Sequence, residues 1–203
     1  MRQIIFATFA VIILMLFLPG AVSACGDTNK ESVRNMLIVP DNADFTVFDP
    51  ALLPDILIDI IENDPPDAPY HERVVDSALK ALGQTHNEKA IDILVAKIED
   101  YPLTCIFWLG TFATSDAVNA IVEYLNNDDA SIRIESADAL SKLPQFEGTD
   151  KDEAKAYVDS ILIALTGIAK RINVEDDERI KDSLYEAWAH LAGLTLMSAN
   201  DVE

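Results

Sequence analysis

Apolar side chains recur at helical spacing along most of the chain, and they predict a succession of short amphipathic helices. Leu53, Ile56, Leu57, Ile60 and Ile61 form the first stripe. Asp49-Pro50 is a start signal there, although Pro54 moves the expected start to about Leu53. Pro65-Pro66 stops the helix near Asn63. From about Tyr70 the pattern is uniformly helical. Arg73 to Leu82 carries Val74, Ala78, Leu79 and Leu82, and Gly83 ends it. Asn87 is placed to cap a helix with Ala90, Ile91, Leu94 and Ile98, and Pro102 opens one with Cys105, Ile106, Leu109 and Phe112. Ser115 is the expected cap for Val118, Ile121, Val122 and Leu125, and Ser131 for Ala137, Leu140 and Leu143, with Pro144 as the stop. Longer helices follow, from about Asp152 to Arg171 (Tyr157, Ile161, Leu162, Leu165, Ile168) and from about Asp177 to Ala192 (Ile180, Leu184, Trp188, Leu191).

Four stretches break this pattern. Asp27 to Arg34 is polar and reads as a tether. Met36-Leu37-Ile38-Val39, closed by Pro40, and Phe45-Thr46-Val47-Phe48 are the only strand candidates, and either could equally be coil over the first helix. Thr195 to Glu203 reads as a frayed tail.

The N-terminus has the three-part layout of a secretory signal. Met1-Arg2-Gln3 is short and positive, Ile4 to Leu18 is apolar apart from Thr8, and Pro19-Gly20 precedes the small residues Ala21-Val22-Ser23-Ala24. The run is about 15 residues, short of the ~20 that a membrane-spanning helix needs. Val22-Ser23-Ala24-Cys25 resembles a bacterial lipobox, with Val where Leu is usual. The resemblance implies cleavage before Cys25 and acylation of its thiol, hence an exported protein held to a bacterial membrane by lipid. Val22 and Ala24 also satisfy the ordinary small-x-small rule, which would leave Cys25 unmodified and a Cys25–Cys105 disulfide possible. If Cys25 is acylated, Cys105 is expected to be a buried thiol among Ile106, Phe107 and Trp108.

The helices also repeat in pairs. Leu82-Gly83 and Leu109-Gly110 stand 27 residues apart, Ala90-Ile91 corresponds to Ala117-Val118, and Leu94 to Ile121. The next unit opens Asp129-Ala130-Ser131-Ile132-Arg133-Ile134-Glu135-Ser136-Ala137-Asp138-Ala139-Leu140. It resembles the HEAT-like repeat of the phycobilisome-lyase type, in which an acid and a branched residue precede Arg and small residues and Leu follow. Arg73 to Leu82 and Arg179 to Leu191 are looser copies. The resemblance spans roughly Tyr70 to Gly193. It implies an all-α fold, an α-solenoid of stacked antiparallel helix pairs sharing one core. The expected organisation is a signal over 1–24, a tether and irregular segment over 25–48, a repeat domain over 49–194 and a tail over 195–203. Some HEAT-like proteins are implicated in attaching bilins, but the likeness lies in the repeat and in no catalytic residue, so it does not carry that activity over.

Charge narrows the partners. The 203 residues hold 35 acids against 15 bases, a formal net charge of -20. The first 24 residues contain no acid and one base, Arg2. Such a surface repels nucleic-acid backbones and anionic lipid. No reactive constellation is legible. His71, His86 and His190 are far apart, with solvent exposure expected for the first two and a favourable helix dipole for His190. No Gly-rich phosphate loop, nucleophile elbow or calcium-loop spacing is present. The sequence therefore points to no cofactor, no metal and no enzyme, but to a scaffold for a protein partner. Helical phase places Lys89, Asp92, Asn119, Glu123 and Asp159 outward on the second helix of each pair, where they are the candidate partner-binding residues. An enzyme or enzyme accessory of the HEAT-like lyase type, or a self-associating structural lipoprotein, are the alternatives.

Overall fold

The structure, a computed structural model, describes residues 21–39, 45–148 and 150–200, with side chains described from Asn29 to Thr195 within those ranges. The apolar leader over residues 1–20 and the thiol of Cys25 lie outside the described residues. Nine α-helices and one 3-10 turn, and no strand, occur among the described residues. The chain divides into two compact units between Ala78 and Leu79.

The first unit contains α1 (Ala21–Ile38), the 3-10 turn Phe45–Val47, α2 (Leu53–Asn63) and the start of α3 (His71–Gln84). The polar stretch expected as a tether is thus helical, as is Met36 to Ile38, and Phe45–Val47 is a 3-10 turn rather than a strand. The reason lies in two interleaved i,i+4 pairs. Val33 and Leu37 are fully buried. Lys30 and Arg34 reach α2 and its exit: Lys30 Nζ lies 2.6 Å from Asp59 Oδ2, and Arg34 pairs with Asp64 and donates to the Pro69 carbonyl at 3.1 Å. In α2 the expected stripe is seen, with Leu53, Leu57, Ile60 and Ile61 buried.

The second unit holds α4 (Lys89–Ala96), α5 (Pro102–Leu109), α6 (Ser115–Tyr124), α7 (Ala130–Ser141), α8 (Lys151–Ile172) and α9 (Glu178–Asn200). They pack in two rows: α4 on α6 and α6 on α8, and α5 on α7 and α7 on α9. The rows also touch each other, through α4–α5, α5–α6, α6–α7 and α8–α9. Leu94, Leu109, Ile121, Leu140, Ile168 and Leu184 are fully buried between them. Leu162 and Trp188, expected in the stripes of α8 and α9, are instead 47% and 44% exposed, while Ala164 and Ala187 occupy the buried phase.

Two of the expected caps move upstream. Thr114, not Ser115, accepts from the Ala117 backbone N–H at 3.4 Å, and Asp129, not Ser131, accepts from Ser131 N–H at 2.8 Å. Asp150 and Asp177 do the same for α8 and α9. An oxygen two or three residues ahead of the donor satisfies an orphan N–H, and Ser115 and Ser131 already lie inside their helices. The last helix also runs to Asn200, so the first residues of the expected tail continue it.

The repeated Leu-Gly pair has a packing reason. A methyl on Gly83 would fall 2.4 Å from the Trp108 ring on α5, and one on Gly110 would fall 2.9 Å from the backbone of Ala139 on α7. In both places the missing side chain lets the next helix of the α5–α7 row come close. The coil over 143–148 is tied down by Tyr157 Oη donating to the Pro144 carbonyl at 2.7 Å and by His190 Nε2 at 2.8 Å from the Leu143 carbonyl.

Candidate functional site

The row α4–α6 leaves a groove of about 610 Å³ open on its surface. Its floor is apolar: Ile91 and Ile98 are buried at the base, and Val95, Ala96 and Ala120 are partly open to it. Its polar lining is Asp92, Glu99, Asp116, Asn119, Glu123 and Tyr124. Four of these carry carboxylates and none carries a base. Burial, with the nearby carboxylates of Glu99 and Glu123, pushes the Tyr124 phenol above its ordinary value. The negative charge of the rim is therefore felt inside the groove.

Three of the five candidate residues, Asp92, Asn119 and Glu123, line this groove together. Lys89 is exposed on α4 but does not line it. Asp159 is exposed on α8 and accepts from Lys155 Nζ at 2.9 Å, one turn back on its own helix, which offsets its charge away from the groove. Glu99, Asp116 and Tyr124 were not singled out from the sequence. A signal for the first two exists. Asp92-Ile-Leu-Val-Ala96-Lys-Ile-Glu99 and Asp116-Ala-Val-Asn-Ala120-Ile-Val-Glu123 share Asp, Ala and Glu at the same places, 24 residues apart. In α6 positions 1, 5 and 8 of the octet share one face of the helix, with small Ala between two acids, whereas α4 ends at Ala96, so for Glu99 the signal is the repeated octet itself rather than helical phase. The 27-residue offset of the Leu-Gly pairs hides this register.

A second hollow, of about 340 Å³, opens over α5, with Leu103, Phe107 and Trp108 against Lys80 and Glu135. Phe107 and Trp108 meet edge to face at 5.1 Å, and Lys142 Nζ lies 5.9 Å from the Phe107 ring centre. Burial pushes the Glu135 carboxyl up.

His86 is exposed, as expected, while the other two histidines make structural contacts. His71, expected exposed, is half-buried with Nδ1 2.9 Å from Asp64 Oδ2. His190 lies well before the end of α9, too far from the last turn for the helix dipole to act on it. Its ring holds the Leu143 carbonyl instead. Cys105 is buried on α5. Among the described residues no three His, Cys, Asp or Glu side chains are grouped to share a metal ion, and no helix is long and apolar enough to cross a membrane.

Arg133, the arginine of the repeat-like motif, ties loops together. Its Nη1 donates to the carbonyls of Asn127 and Asp128, both at 2.9 Å, ahead of α7. Its Nε and Nη2 donate to the Glu175 carboxylate at 2.9 and 3.3 Å, between α8 and α9. Arg171 clamps the same carboxylate at 2.6 Å.

No family model, curated protein or solved structure matches this chain.

Proposed function

We propose that the protein is an exported, lipid-anchored scaffold of HEAT-like helix pairs, stacked as an α-solenoid, that docks a protein partner and catalyses no reaction. Export and anchoring rest on the signal-like leader and on Cys25. The stacked-pair reading rests on the repeated Leu-Gly turns and on the two rows of helices in the second unit. The observation that carries the docking reading is the open groove on the α4–α6 row, with an apolar floor and a polar rim. Concave apolar surface ringed by polar groups is where proteins bind ligands and partner segments.

Ala120→Trp tests the site, because an indole at that lining position fills the groove from its floor. With the full-length chain as bait in solubilised membranes, wild type should retain a partner that Ala120→Trp loses, both having the same helical circular dichroism. Equal retention would move docking away from the groove. Mass spectrometry of the processed N-terminus tests the anchor: an unacylated Cys25 would remove the lipid from this reading and leave export standing.

A further inference from the structure

The charge and shape of the groove specify its occupant more narrowly. Every charged side chain that lines it is acidic: Asp92 and Glu99 from one octet, Asp116 and Glu123 from the other. The nearby bases Lys89 and Lys97 do not line it. On α6, Asp116 and Glu123 lie two helical turns apart, about 10 Å along the axis, with Ala120 between them. The floor between the acids is apolar, of Ile91, Val95, Ala96 and Ala120. A matching ligand carries apolar side chains bracketed by two cations about 10 Å apart. A helix with bases at i and i+7 and apolar residues at i+3 and i+4 has that pattern on one face. An acidic or neutral segment would leave the rim charges uncompensated beside desolvated surface.

We infer that the groove between α4 and α6 is the docking site for a basic amphipathic helix of a partner protein. This rests on the docking reading above and names the chemistry of the partner. The rim acids steer the approach and fix its register, and the apolar floor holds the helix once seated.

The probe is an alanine-based helical peptide with lysines at i and i+7 and leucines at i+3 and i+4. Its controls are the same peptide with glutamates for lysines, and an isomer of equal composition whose lysines point away from the leucines. Binding to the full chain in neutral detergent is followed by anisotropy at about 0.15 M salt, where charges beyond ~8 Å are screened. The lysine peptide should bind, the isomer about fivefold or more weakly, and the glutamate peptide not measurably. Glu99→Lys with Glu123→Lys should weaken binding about tenfold or more. Asp182→Lys with Glu186→Lys, the same change in net charge on exposed α9 positions, should change it less than about twofold. If the reversed groove variant fails to fold, Glu99→Gln with Glu123→Gln replaces it, with the same direction expected. Equal loss in the groove and α9 variants, or equal binding of the isomer, would reduce the effect to net charge and overturn the inference. Loss of the natural partner with Ala120→Trp but not with the charge variants would overturn the basic occupant and leave the docking reading intact. A partner indifferent to Ala120→Trp would overturn both.

Discussion

Carboxylates are treated in opposite ways at two places in the second unit. Glu175, between α8 and α9, is almost wholly buried and held by Arg133 and Arg171. Burial would raise its carboxyl, but hydrogen bonds from both guanidinium groups and from the Asp177 backbone N–H outweigh that and hold it down to about 2. In the α4–α6 groove, four carboxylates line one surface without a base among them. A chain with 35 acids and 15 bases cannot pair every acid. Here two arginines are concentrated on one carboxylate that joins loops, and a grooved face keeps its charge. Pairing marks the acid that holds the fold, and its absence marks the surface with attraction left to offer.

The contrast breaks most visibly at Arg133. Arg133→Met should leave Glu175 buried with one partner fewer, at a cost of about 3–5 kcal/mol in a denaturant titration. A cost below about 1 kcal/mol would mean that Arg171 alone suffices and that the clamp is redundant.

Acid should separate the two regions next. The Glu175 pKa is depressed in the fold, so its contribution is fully present above the ordinary value of 4.5. That contribution, on the order of 2–3 kcal/mol, should be lost as pH falls from about 4.5 toward 2. Glu175→Gln should flatten this part of the stability–pH curve. An unchanged slope would show that Glu175 is not the group being protonated.

The smallest effect should come from the groove. Glu99→Gln with Glu123→Gln should change stability by no more than about 0.5 kcal/mol, since both are exposed and relieving like-charge repulsion favours the fold. The same pair should bring the Tyr124 phenol back toward its ordinary value in a spectrophotometric titration. A large destabilisation would make these acids structural and erase the difference from Glu175.

Much of the architecture is legible from residue spacing. The helices from Leu53 to Ala192 fall where periodicity predicts them, and Leu82, Leu94, Leu109, Ile121 and Leu140 are buried in phase. These features follow from each residue's relation to neighbours three or four places away, which the chain order states directly. Proline stops and glycine turns are equally local. Part of the candidate surface is legible for the same reason: Asp92, Asn119 and Glu123 face outward by helical phase.

What spacing leaves open depends on partners distant in the chain. α1 has too little apolar surface to announce a packed helix, and its Lys30 and Arg34 meet Asp59 and Asp64 about 30 positions later. Glu99 follows the end of α4, so helical phase does not place it, and it lines the groove with Glu123 through the packing of α4 on α6. Asp159 has the right phase, but Lys155 takes its charge. Arg133 and Glu175 are 42 residues apart, and only the fold makes one of them the counter-ion of the other. Periodicity records which way a side chain points from its own helix. Which charges are cancelled, and which are left to face a partner, depends on what the other helices bring within a few ångströms, because pairing energy falls off over that distance while chain separation costs it nothing once the fold is formed.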